Sequence, residues 1–459
     1  LTCYSGHYRA IFDSMKIQSK PSNYSPEEFG IKFGPWQLMP DIEKRHLFTL
    51  FFGAFFGIAT MAFVNVFGPY IFDNILNIPK SEQGRLAGNL TAVQEIVVLS
   101  VIGFCGALSD RVGRRLVYSI GFLILGIGYF LYPLASTSTE LIIFRMIVAL
   151  GCACNTVMLP TVANDYTHEV TRGKMIATTS IFNGLGLVLL ISTFRNLPTE
   201  FSERWGFDPV WSGIYTSWFV AGLVVFVSAV LFFNLKKGAP AQVSNKEPYF
   251  ATLKIAFKAA KNPRIALAYT AGVVSRGDLS VVSTFFTLWL YQVGTSQGLS
   301  GPEAIKTAGG FYVMVQAFAL PGAFLISTFI DKIDRVVNLA IAMAVAACGY
   351  LYLGYIDNPL SSQMYFGAAL LGLGEIFANL SAISLIGSAA PAKGRGAVIG
   401  GFSFFGALGI FIVAFAGGRL FDSISPTAPF TMVGIANIGL LVLALFVLFI
   451  EKKKKNSQT

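Results

Sequence analysis

Twelve apolar runs of about 20 residues recur along this chain, and that length of helix crosses ~30 Å of hydrocarbon. They fall near residues 47–72, 89–109, 116–134, 140–164, 175–197, 211–234, 264–291, 307–330, 336–356, 363–388, 397–420 and 428–450, here numbered spans 1 to 12. Within lipid the backbone has no water to bond, so runs of this length close their own hydrogen bonds as helices. Composition points the same way. Only 13% of residues are charged and 54% are hydrophobic. A soluble domain carries about 25% charge, and this chain could not cover a soluble surface.

The net charge is +10. In a soluble protein such an excess would suggest nucleic acid as a partner. Here it sorts by membrane side, and no nucleic-acid partner is expected. With the N-terminus inside, 26 of the 34 Lys and Arg residues fall in inside segments, and four (Lys80, Arg85, Arg204, Lys306) fall in outside loops. The positive-inside rule then places both termini in the cytoplasm, with the plasma membrane as the expected location. The first 40 residues are polar and mixed and do not read as a signal peptide.

The expected organisation is a cytoplasmic tail (1–46), a six-helix bundle (47–235), a cytoplasmic linker (236–263), a second bundle (264–450) and a basic tail (451–459). Within the linker, Lys254, Lys258 and Lys261 share one helical face, and Phe250, Leu253 and Phe257 share another. That pattern suits a helix lying on the inner leaflet, or equally a solvated connector. The cysteines (Cys3, Cys105, Cys152, Cys154, Cys348) and histidines (His7, His46, His168) form no metal-ligand spacing. Cys152 and Cys154 read as small packing residues. No metal, cofactor or disulfide framework is expected.

The two halves repeat. Arg172-Gly173 after span 4 returns as Arg395-Gly396 after span 10, at an offset of 223. At that offset Ser180 matches Ser403, Phe182 matches Phe405, Gly186 matches Gly409 and Gly151 matches Gly374. Between spans 2 and 3 the chain reads Gly106-Ala-Leu-Ser-Asp110-Arg111-Val-Gly113-Arg114-Arg115, and a fainter echo, Asp331-Lys332-Ile-Asp334-Arg335, lies between spans 8 and 9. Internal repeats joined by a linker suit a transporter that rocks one half against the other. The fold class expected is therefore an all-α membrane protein, with twelve transmembrane helices in two pseudo-symmetric six-helix bundles.

The 106–115 segment closely resembles the loop motif of the major facilitator superfamily, and the resemblance covers about 45–450. It implies that family's fold, with spans 1, 4, 7 and 10 lining a central cavity. Read chemically, Gly106 would let span 2 approach a neighbour. Asp110 would accept from a helix N-terminus and pair with Arg114, and Asp165 would join them. With Arg111, Gly113, Arg115 and the echo residues Asp331 and Arg335, these form an expected cytoplasmic gate. Simple positive-inside anchoring explains the arginines but not Asp110 or Gly113. The family's proton-driven drug exporters usually carry a Gly-Pro-rich motif in span 5. Here Asn183-Gly184-Leu185-Gly186-Leu187-Val188 lacks the proline, which weighs against drug export.

Ionisable groups inside a membrane are costly and mark function by default. Arg276 and Asp278 in span 7 and Glu375 in span 10 fall near the midplane, so a cation and a carboxylate are expected to meet there. Arg276 and Asp278 diverge on a regular helix, and Gly277 would permit a break that turns both inward. Asn65, Glu95 and Arg145 form a second, shallower group. Gln316 and Asn155 are weaker candidates. A structural ion pair or polar clamp is the competing reading for each set.

Together these features predict a secondary transporter of a small solute. Glu375, Glu95 and Asp278 are candidate proton carriers, because a buried carboxyl group can load and release a proton near neutrality. Arg145 and Arg276 could hold an anionic group, which leans the reading to an organic anion or polar metabolite. The alternatives are a multidrug or lipid-like exporter and a receptor with a transporter fold. The sequence shows no Walker A motif and no nucleophile–base constellation, so no enzyme is expected. The expected partners are the solute, protons and the lipid bilayer.

Overall fold

The computed structural model describes residues 30–238, 249–330, 332–391 and 394–456. Among these are twelve helices apolar and long enough to cross a membrane: Lys44–Ile75, Lys80–Val112, Arg114–Leu134, Ser138–Tyr166, Glu169–Trp205, Pro209–Asn234, Pro263–Ser296, Gly301–Ile330, Arg335–Leu353, Gln363–Ala389, Arg395–Ser423 and Ala428–Lys453. Each matches one apolar run. Several extend beyond it, because polar helical turns project past the hydrocarbon where hydropathy no longer detects them. Span 2 thus begins at Lys80 and span 8 at Gly301. Side chains cap many of the starts, as N-cap preferences require. Thr137 accepts from the Glu140 N–H, Asp208 from Trp211, Asn262 from Arg264 and Asp334 from Val336.

The packing repeats with the sequence. Span 1 packs on spans 5 and 6, span 3 on spans 4 and 6, and span 2 on span 4. In the second half span 7 packs on spans 11 and 12, span 9 on spans 10 and 12, and span 8 on span 10. Between the halves, span 2 lies along span 11 and span 5 along span 8. The matched glycines do matched work. A Cβ on Gly186 would run into the Phe55 carbonyl of span 1, and a Cβ on Gly409 would run into the Val273 carbonyl of span 7. Small residues let membrane helices approach this closely.

Two features depart from expectation. Span 7 does not break at Gly277. The α-helix runs unbroken from Pro263 to Val281, then passes through a π-helical turn at Val282–Phe286. Gly277 serves packing instead, with Val413 of span 11 against it. The segment before span 1 is also more than a tail. Lys32–Phe33 and Trp36–Gln37 pair as an antiparallel hairpin around Gly34, which has φ +56°. The hairpin docks beside span 5, where Gln37 N–H donates to Thr171 Oγ1 at 2.9 Å. Two residues per strand are too few to register as a hydropathy pattern. The linker contains a helix, Tyr249–Ala259, and Ala256 and Phe257 seat it against Gly401 and Phe405 of span 11.

Candidate solute pathway and gates

The molecule has two ends. One carries the 112–114 turn, the hairpin and the linker helix; the other, called here the far end, carries the turns after spans 1, 3, 5, 7, 9 and 11.

At the first end Gly113 holds φ +98°, a conformation open to glycine, and so turns span 2 into span 3. That turn brings Arg114 back onto Asp110, with Nη1–Oδ1 at 2.5 Å, and its Nε reaches Asp165 Oδ2 at 2.8 Å. Asp110 is buried. The triad ties spans 2, 3 and 4 together inside one half. Arg115 instead stacks over the Phe232 ring at 4.7 Å, and Arg111 is exposed. Gly106 has room for a Cβ, with Val157 at 3.8 Å, so it does not set a close approach. That role in span 2 belongs to Gly88, which lies against Ala414 and Gly418 of span 11.

The second half builds a counterpart from Asp334 of the echo motif and two residues the sequence did not single out, Arg264 and Glu451. Arg264 reaches Glu451 Oε1 at 2.7 Å and Asp334 Oδ2 at 3.0 Å, joining spans 7 and 12 to the turn before span 9. Burial alone would raise the Asp334 carboxyl, but the Val336 N–H and Arg264 outweigh it and hold it below the ordinary aspartate range. The expected gate member Asp331 lies outside the described residues. Arg335 opens span 9 beside this cluster.

Hydrogen bonds between the halves gather at the far end. The Tyr291 hydroxyl donates to Asp73 Oδ2 at 3.0 Å and accepts from Asn74 Nδ2 at 2.6 Å. Lys80 donates to Thr295 Oγ1 at 2.8 Å, and Gln292 to Gln83 at 3.0 Å. The Asp422 carboxylate of span 11 accepts from the Gly84 and Arg85 N–H groups, at 2.9 and 2.6 Å, in the first turns of span 2. An anion at a helix N-terminus is a favourable charge–dipole contact. Arg419 donates to Asn89 at 3.3 Å, and Arg195 donates to the Lys306 carbonyl. The far end is therefore closed. Tyr291 and Trp289 had the composition of bilayer-interface anchors, yet both are buried in this seam or beside it.

At mid-depth the ionisable groups pair differently from expectation. Arg276 of span 7 interacts electrostatically with Glu95 of span 2, across the two halves, and both are partly exposed. Glu375 is not its partner. That carboxyl is buried in the second half, where Gln316 of span 8 approaches it and its Oε2 has no hydrogen-bond partner among the described residues. Asp278 turns away from Arg276 and is fully buried, accepting from Asn437 Nδ2 of span 12 at 3.2 Å. Two residues apart on an unbroken helix, the two side chains could not share a face. In the first half Arg145 is 1% exposed and donates to Asn65. These two and Tyr132 line a small cavity that Thr284 of span 7 helps to close. Asn155 faces Gly121 of span 3. Cys105 and Cys154 bring their sulfurs to 3.1 Å.

The model of the Major Facilitator Superfamily matches residues 50–414. The chain belongs to the Major Facilitator Superfamily. Among curated relatives, magnetosome protein MamH of Paramagnetospirillum magneticum is 26% identical, over 84% of this chain and 88% of the relative. Magnetosome protein MamZ of the same organism is 24% identical over 83% of this chain, which spans only 59% of MamZ. The niacin transporter NiaP of Acinetobacter baylyi is 22% identical over 57% of this chain and 62% of its own length. The crystal structure of the nucleoside transporter NupG shares the fold, with a TM-score of 0.69 at 13% identity, over 89% of this chain and all of NupG. A superfamily member of this architecture is a transporter of small solutes and not an enzyme.

Superfamily transporters must open at one end while closing at the other, which gives the Asp110 triad a testable role. Asp110→Asn is expected to leave membrane insertion intact and to impair transport. Losing a ~1–3 kcal/mol bias between states shifts their populations about 5- to 150-fold. Transport rates of the purified variant in vesicles check this, and unchanged kinetics would remove the triad from the gate.

Proposed function

We propose that this chain is a proton-coupled secondary transporter of a small organic anion, working by alternating access. Arg276 and Glu95 carry the reading: a cation and a carboxylate from opposite halves, partly exposed and within electrostatic range of each other. A solute carboxylate can take Glu95's place beside Arg276, and Glu95 then becomes free to bind a proton. Charge compensation of this kind links solute and proton without exposing a bare charge to lipid. Arg145, with Asn65, offers a second cationic contact nearer the far end, and Glu375, approached by the neutral Gln316, with the buried Asp278 behind it, is the acidic group of the second half. The name of NiaP fits the lean, since niacin is a small carboxylate.

Orientation follows from charge. The basic loops lie at the end that holds the Asp110 triad, so that end is cytoplasmic and the far end is external. The closed far end then makes this the inward-facing state. The Asp110 triad and the Arg264 cluster are gate elements waiting at the open side. Residues 47–235 and 264–450 act as the two rocking units, and 236–263 links them. The plasma membrane is the proposed location; the relatives' names raise an organelle membrane as the alternative, which membrane fractionation separates.

Two measurements test this. A single cysteine at Ser202 should react with an impermeant thiol reagent added to whole cells, and one at Lys237 should not; the reverse labelling would invert the orientation. Thermal stabilisation of the purified protein against a panel of carboxylates, niacin included, should single out a ligand, because a ligand of the native state raises apparent stability. Stabilisation only by neutral or cationic compounds would overturn the organic-anion assignment.

A further inference from the structure

At the triad end an aromatic slot opens between the hairpin and the first turns of span 1. Phe48, Phe52 and Phe55 of span 1 share one helical face along the slot, Phe33 and Trp36 of the hairpin form its other wall, and Phe182 of span 5 closes it. Phe51 holds the floor by stacking on Phe182, with ring centroids 5.0 Å apart. The slot offers about 460 Å³, within the size range of small-molecule sites. A soluble ligand needs convergent polar groups to orient it, and here every lining residue is aromatic. Phe48 to Phe55 spans roughly 10 Å of helix, beginning at the end of the span, which is the depth of the headgroup–acyl boundary.

The rim supplies the charge. Lys32 and Lys44 are exposed beside the slot, and the Lys44 ammonium lies 5.2 Å from the Phe33 ring centre. The neighbouring Arg45 is taken by Glu43 at 2.8 Å. Trp36 itself is packed into the wall, and its indole N–H is buried with no hydrogen-bond acceptor among the described residues.

We infer that this slot is a binding site for an anionic phospholipid, one acyl chain lying among the phenylalanines and the acidic headgroup facing Lys32 and Lys44. The site is independent of the transported solute and sits beside the contact of spans 1 and 5, so a bound lipid braces the first half where it meets the cytoplasmic leaflet.

Trp36 is its own reporter. With Trp205, Trp211, Trp218 and Trp289 changed to Phe, the protein is placed in vesicles of phosphatidylcholine containing a small fraction of brominated lipid. Brominated phosphatidylglycerol should quench Trp36 far more strongly than the same fraction of brominated phosphatidylcholine. Each lysine should contribute about 5-fold to the preference, and the double variant Lys32→Gln, Lys44→Gln should bring the two lipids close to parity. Should the tryptophan-poor protein not fold, native mass spectrometry of the unmodified chain replaces it. Phosphatidylglycerol should then co-purify in preference to phosphatidylcholine, and the double lysine variant should lose it. Equal retention of both lipids would overturn the inference, as would absent quenching, which would mean that another segment of the chain fills the slot.

Discussion

Glu375→Gln is expected to uncouple this transporter: solute exchange across vesicles should survive, and accumulation driven by a pH gradient should be lost. Glutamine mimics the protonated acid in shape and hydrogen bonding but cannot release a proton. The structure sharpens this expectation, because the groups around Glu375 are neutral or acidic. Gln316 approaches it, Asp278 lies within electrostatic range of it, and Tyr312 and Tyr350 flank it. Had Arg276 been its partner, the same change would have stranded a buried cation and cost about 3–5 kcal/mol, removing exchange and expression together. Exchange and gradient-driven uptake measured in parallel decide the matter. If both match the unmodified protein, Glu375 is not a coupling residue. If both fail in a well-folded variant, it acts in solute binding.

Arg276→Gln should abolish uptake of the anionic solute and lower the stability of the protein. The variant leaves Glu95 facing the second half without its cation, and because both groups are partly exposed the loss falls below the about 3–5 kcal/mol of a fully buried pair. The double variant Glu95→Gln, Arg276→Gln removes both charges and should recover most of the stability. It should not recover solute binding, because the cation that holds the solute is still missing. Thermal unfolding and ligand stabilisation of the two variants separate these effects. Solute binding that returns with the double variant would reduce Arg276 to a structural partner of Glu95. Stability unchanged in the single variant would mean that the two charges are solvated independently.

How much of this was legible beforehand varies with the range of the interaction. The Asp110–Arg114–Asp165 triad was readable because two of its members sit four residues apart, around a glycine whose positive φ forces the turn. Its counterpart was not. Asp334 belongs to the echo motif, but its partners Arg264 and Glu451 lie at the edges of spans 7 and 12, where a lone charge resembles an ordinary membrane-side anchor. The far-end seam was hidden for a similar reason. Tyr291 and Trp289 have the residue types of interfacial anchors, and only the approach of span 1 to span 7 shows that Tyr291 bridges the halves. Asp422 was invisible because its partners are backbone N–H groups, which every helix start possesses.

The sequence by itself determined the twelve spans, their division into two related halves and the family. Each rests on local or repeated signals: the length of an apolar run, a fixed offset between matching glycines, a ten-residue loop motif. The tertiary structure decided the partners. Arg276 and Glu375 fall at one depth along the membrane normal, and depth can be counted residue by residue. Azimuth cannot, because each residue turns a helix by about 100° and the neighbour met at that angle depends on how the halves pack. That packing sets Arg276 within electrostatic range of Glu95 and leaves Glu375 among neutral and acidic groups. It also folds a short hairpin over span 1 to complete an aromatic slot that no stretch of sequence contains.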